Sequence, residues 1–327
     1  MMKFRCWIAT AVIGFLLTAA TIVPGFAAEA FNVRFSYKFK GEYGFLLLGQ
    51  AKGLYADAGL DVKFGEGAGS PAALGALIQG QEDVVVLPAI FAISAIQKGM
   101  PIKIVALYQP AAPSVILSHA NNPINVPKDL EGKTIAAPVG ELGTTYLGIF
   151  CEKNNIDCSK IKKVQIDIQA RVAQFLGNRI DAIAAYRTND LPIIETKANA
   201  KLVVLDQVQY GLAVPGLAVV TSNSKITQRG DALKRFLKAT SAAIEATRKD
   251  PTAATSALKA AWPSAPSDAI VQTQIEETSK SIPAATDRPL GWTRTQSIED
   301  ALKLLESTET SSARKNLSDY YTNDFLK

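Results

Sequence analysis

The chain has 327 residues, 48% of them hydrophobic, enough for about two packed domains. Its formal charge of +5 is dispersed, and the densest basic groups, Lys160/Lys162/Lys163 and Lys234/Arg235/Lys238, are short and mixed with apolar residues. That excludes the broad basic face of a nucleic-acid binder, and a single histidine, His119, far in sequence from the cysteines, argues against a metal site.

Residues 1–30 read as an export signal. Lys3 and Arg5 precede an apolar run from Trp7 to Val23, and two small-x-small sites follow, Gly25-Phe26-Ala27 and Ala28-Glu29-Ala30. The run falls short of the ~20 residues a spanning helix needs. Removing Lys3, Arg5 and Glu29 takes two positive charges and one negative from +5 and leaves +4.

Beyond the leader, four apolar runs too short for helices, 32–37, 61–65, 83–87 and 102–108, alternate with helical patterns at 43–51, 70–79 and 89–98. Alternation of this kind predicts a mainly parallel sheet with helices on both faces. A second set of strands follows at 114–118, 134–137, 163–168, 181–186 and 201–205, with a helix over about 144–154. The helix-Gly-strand layout of 70–87 recurs at 171–186, so each half is its own α/β unit. Between the units lie Gln109-Pro110-Ala111-Ala112-Pro113 and Tyr210 to Gly216, rich in chain-punctuating residues. If the chain leaves the first unit at one and returns at the other, two crossovers join the lobes, and 217–221 rejoins the first sheet. Helices are predicted over 231–248, 251–261, 267–281 and 293–305. The boundaries are then 31–109 with 215–327 for lobe I and 110–214 for lobe II. Cys151 and Cys158 flank a turn and, in an oxidising compartment, are candidates for a disulfide.

The run Lys52-Gly53-Leu54-Tyr55-Ala56-Asp57-Ala58-Gly59-Leu60-Asp61-Val62 resembles the G-x-[FY]-x-x-x-G-L-[DE]-V block of bacterial ABC-importer solute-binding proteins, in the group of thiamine-pyrimidine-biosynthesis-like, sulfonate, taurine and nitrate binders. Tyr186-Arg187-Thr188-Asn189-Asp190-Leu191-Pro192 is similar to the Y-x-T-N-E-P run of the thiamine-pyrimidine-like members, departing at Asp190 and the inserted Leu191. Gln207 to Gly216 and Tyr320 to Leu326 also resemble stretches of the family. The resemblance implies a type II periplasmic clamshell, with the C-terminal helices on lobe I. Its partners would be a small-molecule ligand and an inner-membrane permease with its ATPase, and the protein is expected to be monomeric.

In open parallel sheets ligands sit beyond the carboxyl ends of the strands. After the first strand come Tyr37, Phe39, Glu42 and Tyr43, aromatics suited to stacking on a planar ligand, with core packing as the alternative. Gly67 to Pro71 reads as a glycine loop, an N-cap Ser70 and a first-turn proline, and Pro138 to Thr145 repeats the idea in the second unit. Two such helix starts would offer N–H groups to a polar ligand, whereas plain capping needs no ligand. The expected ligand set is Tyr37, Phe39, Glu42, Tyr43, Ser70, Pro88 and Tyr108 from lobe I, with Glu141, Leu142, Gly143, Thr144, Arg187, Asn189 and Tyr210 from lobe II.

A micromolar ligand needs about 8 kcal/mol, whereas a helix start contributes roughly 0.3–1 for a charge. Aromatic burial must therefore contribute heavily, which favours a planar aromatic or heterocyclic solute over an alkanesulfonate, taurine, nitrate or bicarbonate. An enzyme reading survives only as a relative of eukaryotic pyrimidine synthases, and their cysteine-rich H-C-C-C-F-C segment is missing here, as are G-x-S-x-G and H-E-x-x-H. A signalling receptor on the same clamshell remains open. No catalytic residue, cofactor or metal is expected.

Overall fold

The computed structural model describes residues 28–138, 141–167, 170–306 and 315–327. Most of the expected leader lies outside these, as do Val139, Gly140 and Ile168.

Strand β1 (Glu29–Phe35) alternates, with Phe31, Val33 and Phe35 pointing into the core. Helices α1 (Gly44–Ala51) and α2 (Leu54–Asp57) lead through a left-handed Gly59 into β2 (Leu60–Gly65). Then come α3 (Ser70–Ile78), β3 (Val84–Pro88), α4 (Ala89–Gln97) and β4 (Ile102–Leu107). The second unit holds β5 (Ser114–Ser118), β6 (Thr134–Ala136), α5 (Leu142–Thr145), α6 (Leu147–Lys153), β7 (Lys162–Val164), α7 (Arg171–Leu176), β8 (Ala182–Tyr186), α8 (Asp190–Ala198) and β9 (Val203–Asp206). The chain closes with β10 (Leu217–Ser222) and helices α9 (Asn223–Lys249), α10 (Pro251–Ala261), α11 (Asp268–Ser281), α12 (Thr295–Glu306) and α13 (Leu317–Tyr320).

These strands form two five-stranded sheets of one layout, β2-β1-β3-β10-β4 and β7-β6-β8-β5-β9. In each, four strands run one way and the fourth in order is reversed: β10 is antiparallel to β3 and β4, and β5 to β8 and β9. The reversed strand is always the one just downstream of a crossing between the lobes. Central strands β3, β5, β8 and β10 are apolar on both faces because helices cover both sides.

The two crossings lie side by side. Ala112 N donates to Val214 O at 2.6 Å and Gly216 N to Gln109 O at 2.9 Å, while Gln109 Oε1 accepts from Leu217 N at 3.2 Å. They form a paired hinge strap. Helices α9 and α10 pack on α1, and α12 packs on α4, so the C-terminal helices thicken lobe I, while α11 also reaches across to α8 of lobe II.

Several expectations are corrected. Glu29 and Ala30, in the second of the two small-x-small sites, belong to β1, paired with Leu60 and Asp61, and Glu29 forms a 2.9 Å ion pair with Arg229. A boundary at residue 30 would remove part of an inner strand. The helix expected over 144–154 is two, because Tyr146 leaves helical geometry between α5 and α6. The helix at 231–248 starts earlier, at Asn223, with a break at Arg229 (φ −130°, ψ 23°). Helix α8 follows the Tyr186 motif, where the apolar spacing does not announce one.

Cys151 and Cys158 are bonded, with Cα atoms 5.6 Å apart. Closing so short a loop stabilises by about 2–3 kcal/mol in the chain-entropy account. Replacing both cysteines by serine should lower the urea midpoint accordingly, and reductant should then leave the variant's midpoint unchanged while lowering that of the natural protein.

Asp181 ties β8 to β6. Its carboxylate accepts from Thr134 N and Thr134 Oγ1, both at 2.7 Å, and from Asn122 Nδ2 at 2.8 Å. Burial alone would raise its pKa, but these bonds and Lys133 outweigh it and hold the acid below the usual aspartate range. A value depressed by folding means the contribution is in place above the unfolded value, about 3.9, and is lost as pH falls through the folded one. Asp181→Asn should therefore lower stability at pH 7 and flatten the acid limb of a stability-versus-pH curve.

Candidate functional site

The loop after β1 is strapped to the loop after β2. Gly69 N donates to Ser36 O at 2.7 Å, Gly67 N to Tyr37 O at 3.1 Å, and Glu66 accepts from Phe39 N at 2.8 Å. A Cβ on Gly67 would lie 2.1 Å from Phe35 O, so only glycine lets the two loops approach this closely. Beneath them Phe35 stacks on Tyr43 at 3.9 Å and on Phe64 at 5.5 Å, and meets Phe39 edge-on. The aromatic group after β1 is thus split: Phe39 and Tyr43 build the floor, and the Tyr37 ring meets the Lys40 ammonium above it.

At Gly41–Tyr43 the chain makes a 3-10 turn against lobe II. Glu42 N donates to Asn189 Oδ1 at 3.2 Å, and Asn189 Nδ2 returns a bond to Glu42 Oε2 at 3.0 Å. Gln274 of α11 completes the contact, donating to Asn189 O at 2.7 Å and accepting from Gly41 N at 3.1 Å. Every group in this latch is buried, so each bond stands in place of a contact with water. Asn189 follows β8 and Glu42 follows β1, which sets the latch beyond the carboxyl ends of a strand from each sheet.

Beside the latch, Lys40 forms a 3.1 Å ion pair with Glu42, and its Nζ lies 5.6 Å from the Tyr37 ring centre and 5.7 Å from that of Tyr186. Arg171 donates to Ala184 O and pairs with Asp190 at 3.4 Å. Burial, reinforced by Glu42, Glu141 and Asp190, raises the Tyr186 hydroxyl well above the usual phenol range, so it stays protonated and available as a donor.

The helix start expected to offer its N–H groups to a polar ligand in lobe II holds its own carboxylate. Glu141 caps α5, accepting from Gly143 N at 3.2 Å and from Thr144 N and Oγ1 at 3.1 and 2.7 Å. Burial raises its pKa, while Arg171 and these donors oppose the rise. In lobe I the cap of α3 is Gly69, not Ser70, with Pro71 in the first turn.

Other expected positions fall elsewhere. Tyr108 lies in the lobe I core against Phe45, and Leu142 is in a core cluster, so neither faces the latch. Gly143 is pressed between Ala184 and Gln207. Pro88 ends β3 opposite Leu217. Tyr210 packs on the core, its carbonyl accepting from Asn154 at 2.9 Å. Arg187 pairs with Asp206 at 2.9 Å and lines an open groove of about 700 Å³ between α8 and α11. The structure brings together Tyr37, Glu42 and Asn189, with Glu141 near Tyr186. Lys40, Arg171, Tyr186 and Gln274 belong to the same place and are absent from the expected set. Among the described residues no group of acidic, histidine and cysteine side chains is arranged for a metal, and no helix is long and apolar enough to cross a membrane.

The sequence profile of a family described as NMT1/THI5 like matches residues 41–254. The chain belongs to this family. No curated protein sequence matches it significantly. Among solved structures, the periplasmic aliphatic sulphonate binding protein SsuA from Escherichia coli superposes with TM-score 0.69 at 17% identity, covering 85% of this chain and 87% of that one. The periplasmic nitrate-binding protein NrtA from Synechocystis PCC 6803 gives 0.68 at 14%, over 91% and 87%. The CA3427 gene product of Candida albicans, described as having the generic periplasmic binding protein structural fold, gives 0.66 at 14%, over 91% and 97%. This family member therefore has the periplasmic binding protein fold, two mixed sheets flanked by helices.

Proposed function

We propose that this protein is the exported solute-binding component of an ABC importer, closing on a small organic molecule between its lobes and delivering it to a permease and ATPase. The observation that carries the reading is the latch of Glu42 and Asn189, which joins the two lobes across their strand ends opposite a double-stranded hinge. Closure of this kind needs ligand contacts from both sides. Tyr37 from lobe I and Tyr186 from lobe II supply apolar faces for a planar solute.

Small anions form the second reading, favoured by the likeness in fold to a sulphonate-binding and a nitrate-binding protein. Glu42 and Glu141 weigh against it, since an anion at the latch would meet two buried carboxylates. A thermal-shift panel of pyrimidines, flavins, aromatic acids, sulfonates and nitrate separates the two. A shift with planar solutes, lost in Tyr37→Ala, supports the proposal. A shift confined to inorganic or alkyl anions overturns its ligand class, and recovery of a chemically altered solute overturns binding without catalysis.

A further inference from the structure

Lys40 occupies an unusual position for a lysine. Its ammonium lies within cation-π reach of two tyrosine rings that belong to opposite lobes, 5.6 Å from Tyr37 and 5.7 Å from Tyr186. It also lies 3.1 Å from Glu42 Oε1, while the other oxygen of that carboxylate is held by Asn189. Two aromatic faces and an oriented carboxylate are the parts of a receptor for a cation, and here the cation is the protein's own.

The surrounding charges favour the same class. Arg171 donates to Ala184 O through one terminal nitrogen and pairs with Asp190 through the other, which offsets its charge, while its buried Nε has no hydrogen-bond partner. Glu141 is held by the N–H and hydroxyl groups at the start of α5 and shares the field of Arg171 with Asp190. With Lys40 in place, the carboxylates of Glu42, Glu141 and Asp190 outnumber the two cations by one; with Lys40 withdrawn they outnumber the remaining cation by two. A sulfonate or nitrate would sharpen this imbalance and an ammonium would restore it. The backbone around Lys40 is fixed by the straps from Glu66, Gly67 and Gly69, but its side chain has four rotatable bonds and is partly open to solvent, so it can leave without moving the loop.

We infer that the cleft takes a solute with a cationic nitrogen head, an ammonium, amidinium or protonated amino-heterocycle, and that Lys40 holds that position as an internal surrogate which the solute displaces. The inference rests on the reading of this cleft as the solute site and adds the charge of the solute to it.

The test is calorimetric titration of the natural protein, Lys40→Met and Lys40→Met/Glu42→Gln with benzamidine, tetramethylammonium, benzoate and ethanesulfonate. Removing the competitor should tighten benzamidine at least tenfold in Lys40→Met, and Glu42→Gln should cancel the gain; benzoate and ethanesulfonate should gain nothing. Unaltered far-UV circular dichroism controls for folding. Independently, in protein whose lysines carry 13C-methyl groups, the Lys40 resonance, assigned by its loss in Lys40→Met, should show a ring-current shift that benzamidine abolishes. An anion that binds the natural protein and is lost in Lys40→Met overturns the inference, as does failure of either cation to bind Lys40→Met. In those cases the importer reading stands if some other solute still compacts the protein in solution scattering, and falls if none does.

Discussion

Gly41→Ala is expected to hold the clamshell open. A Cβ at this position would lie 2.1 Å from Gln274 Cβ and 2.9 Å from its carbonyl carbon, contacts with the body of α11 that no side-chain rotation relieves. Either the turn or α11 must move, and overpacking of this kind costs about 1–3 kcal/mol. Movement also separates Gly41 N from Gln274 Oε1, and Gln274 is the residue that holds Asn189 O. The loss therefore passes into the latch. Urea unfolding should show the lower stability, and small-angle scattering of the ligand-free variant should show a larger radius of gyration. An unchanged radius with a lower midpoint would mean that the latch survives repacking of α11 and that other contacts keep the lobes together.

Phe35→Ala should cause the larger loss of stability. Its ring is fully buried, stacked on Tyr43 and Phe64 and edge-on to Phe39, so three aromatic side chains pack around the space it fills. Truncating a buried phenylalanine costs about 3–5 kcal/mol, the spread reflecting how far neighbours collapse into the cavity. Here collapse is limited, because Tyr43 precedes α1 and Phe64 lies in β2, both anchored elsewhere. Loss of the floor should also loosen Tyr37 and Lys40 above it. Chemical denaturation gives the first effect, and a weaker solute affinity at temperatures where the variant is still folded gives the second.

The lobes and their order were legible in the chain because their strands are short apolar runs punctuated by glycine, and Ser114–Ser118 and Pro251–Ala261 fall at the expected bounds. The double crossover was legible for the same reason, from two proline- and glycine-rich passages. The latch was only half legible. Glu42 and Asn189 follow strands and were marked on that ground, but Gln274 sits on an ordinary amphipathic helix beside Val271 and Ile275, and only folding brings it to Gly41. Lys40 and Arg171 escaped because an isolated basic residue near an aromatic or at a helix start usually faces water. Tyr108 misled in the opposite sense: it follows a strand, yet Gly291 approaches so closely that a Cβ there would lie 3.0 Å from its ring, and the ring is enclosed in the core.

The reversed strands bear on the order in which the molecule can be assembled. All five strands of lobe II lie in one stretch, Ser114 to Asp206, so its sheet is complete once that stretch has emerged from the ribosome. Lobe I is different, for β10 must slot between β3 and β4, and until Ser222 has emerged those two have no partner on their facing edges. The later-encoded half of the clamshell can be finished while the first-encoded half still has a gap at its centre, and the bare strand edges in that gap are where a nascent copy is most open to mispairing.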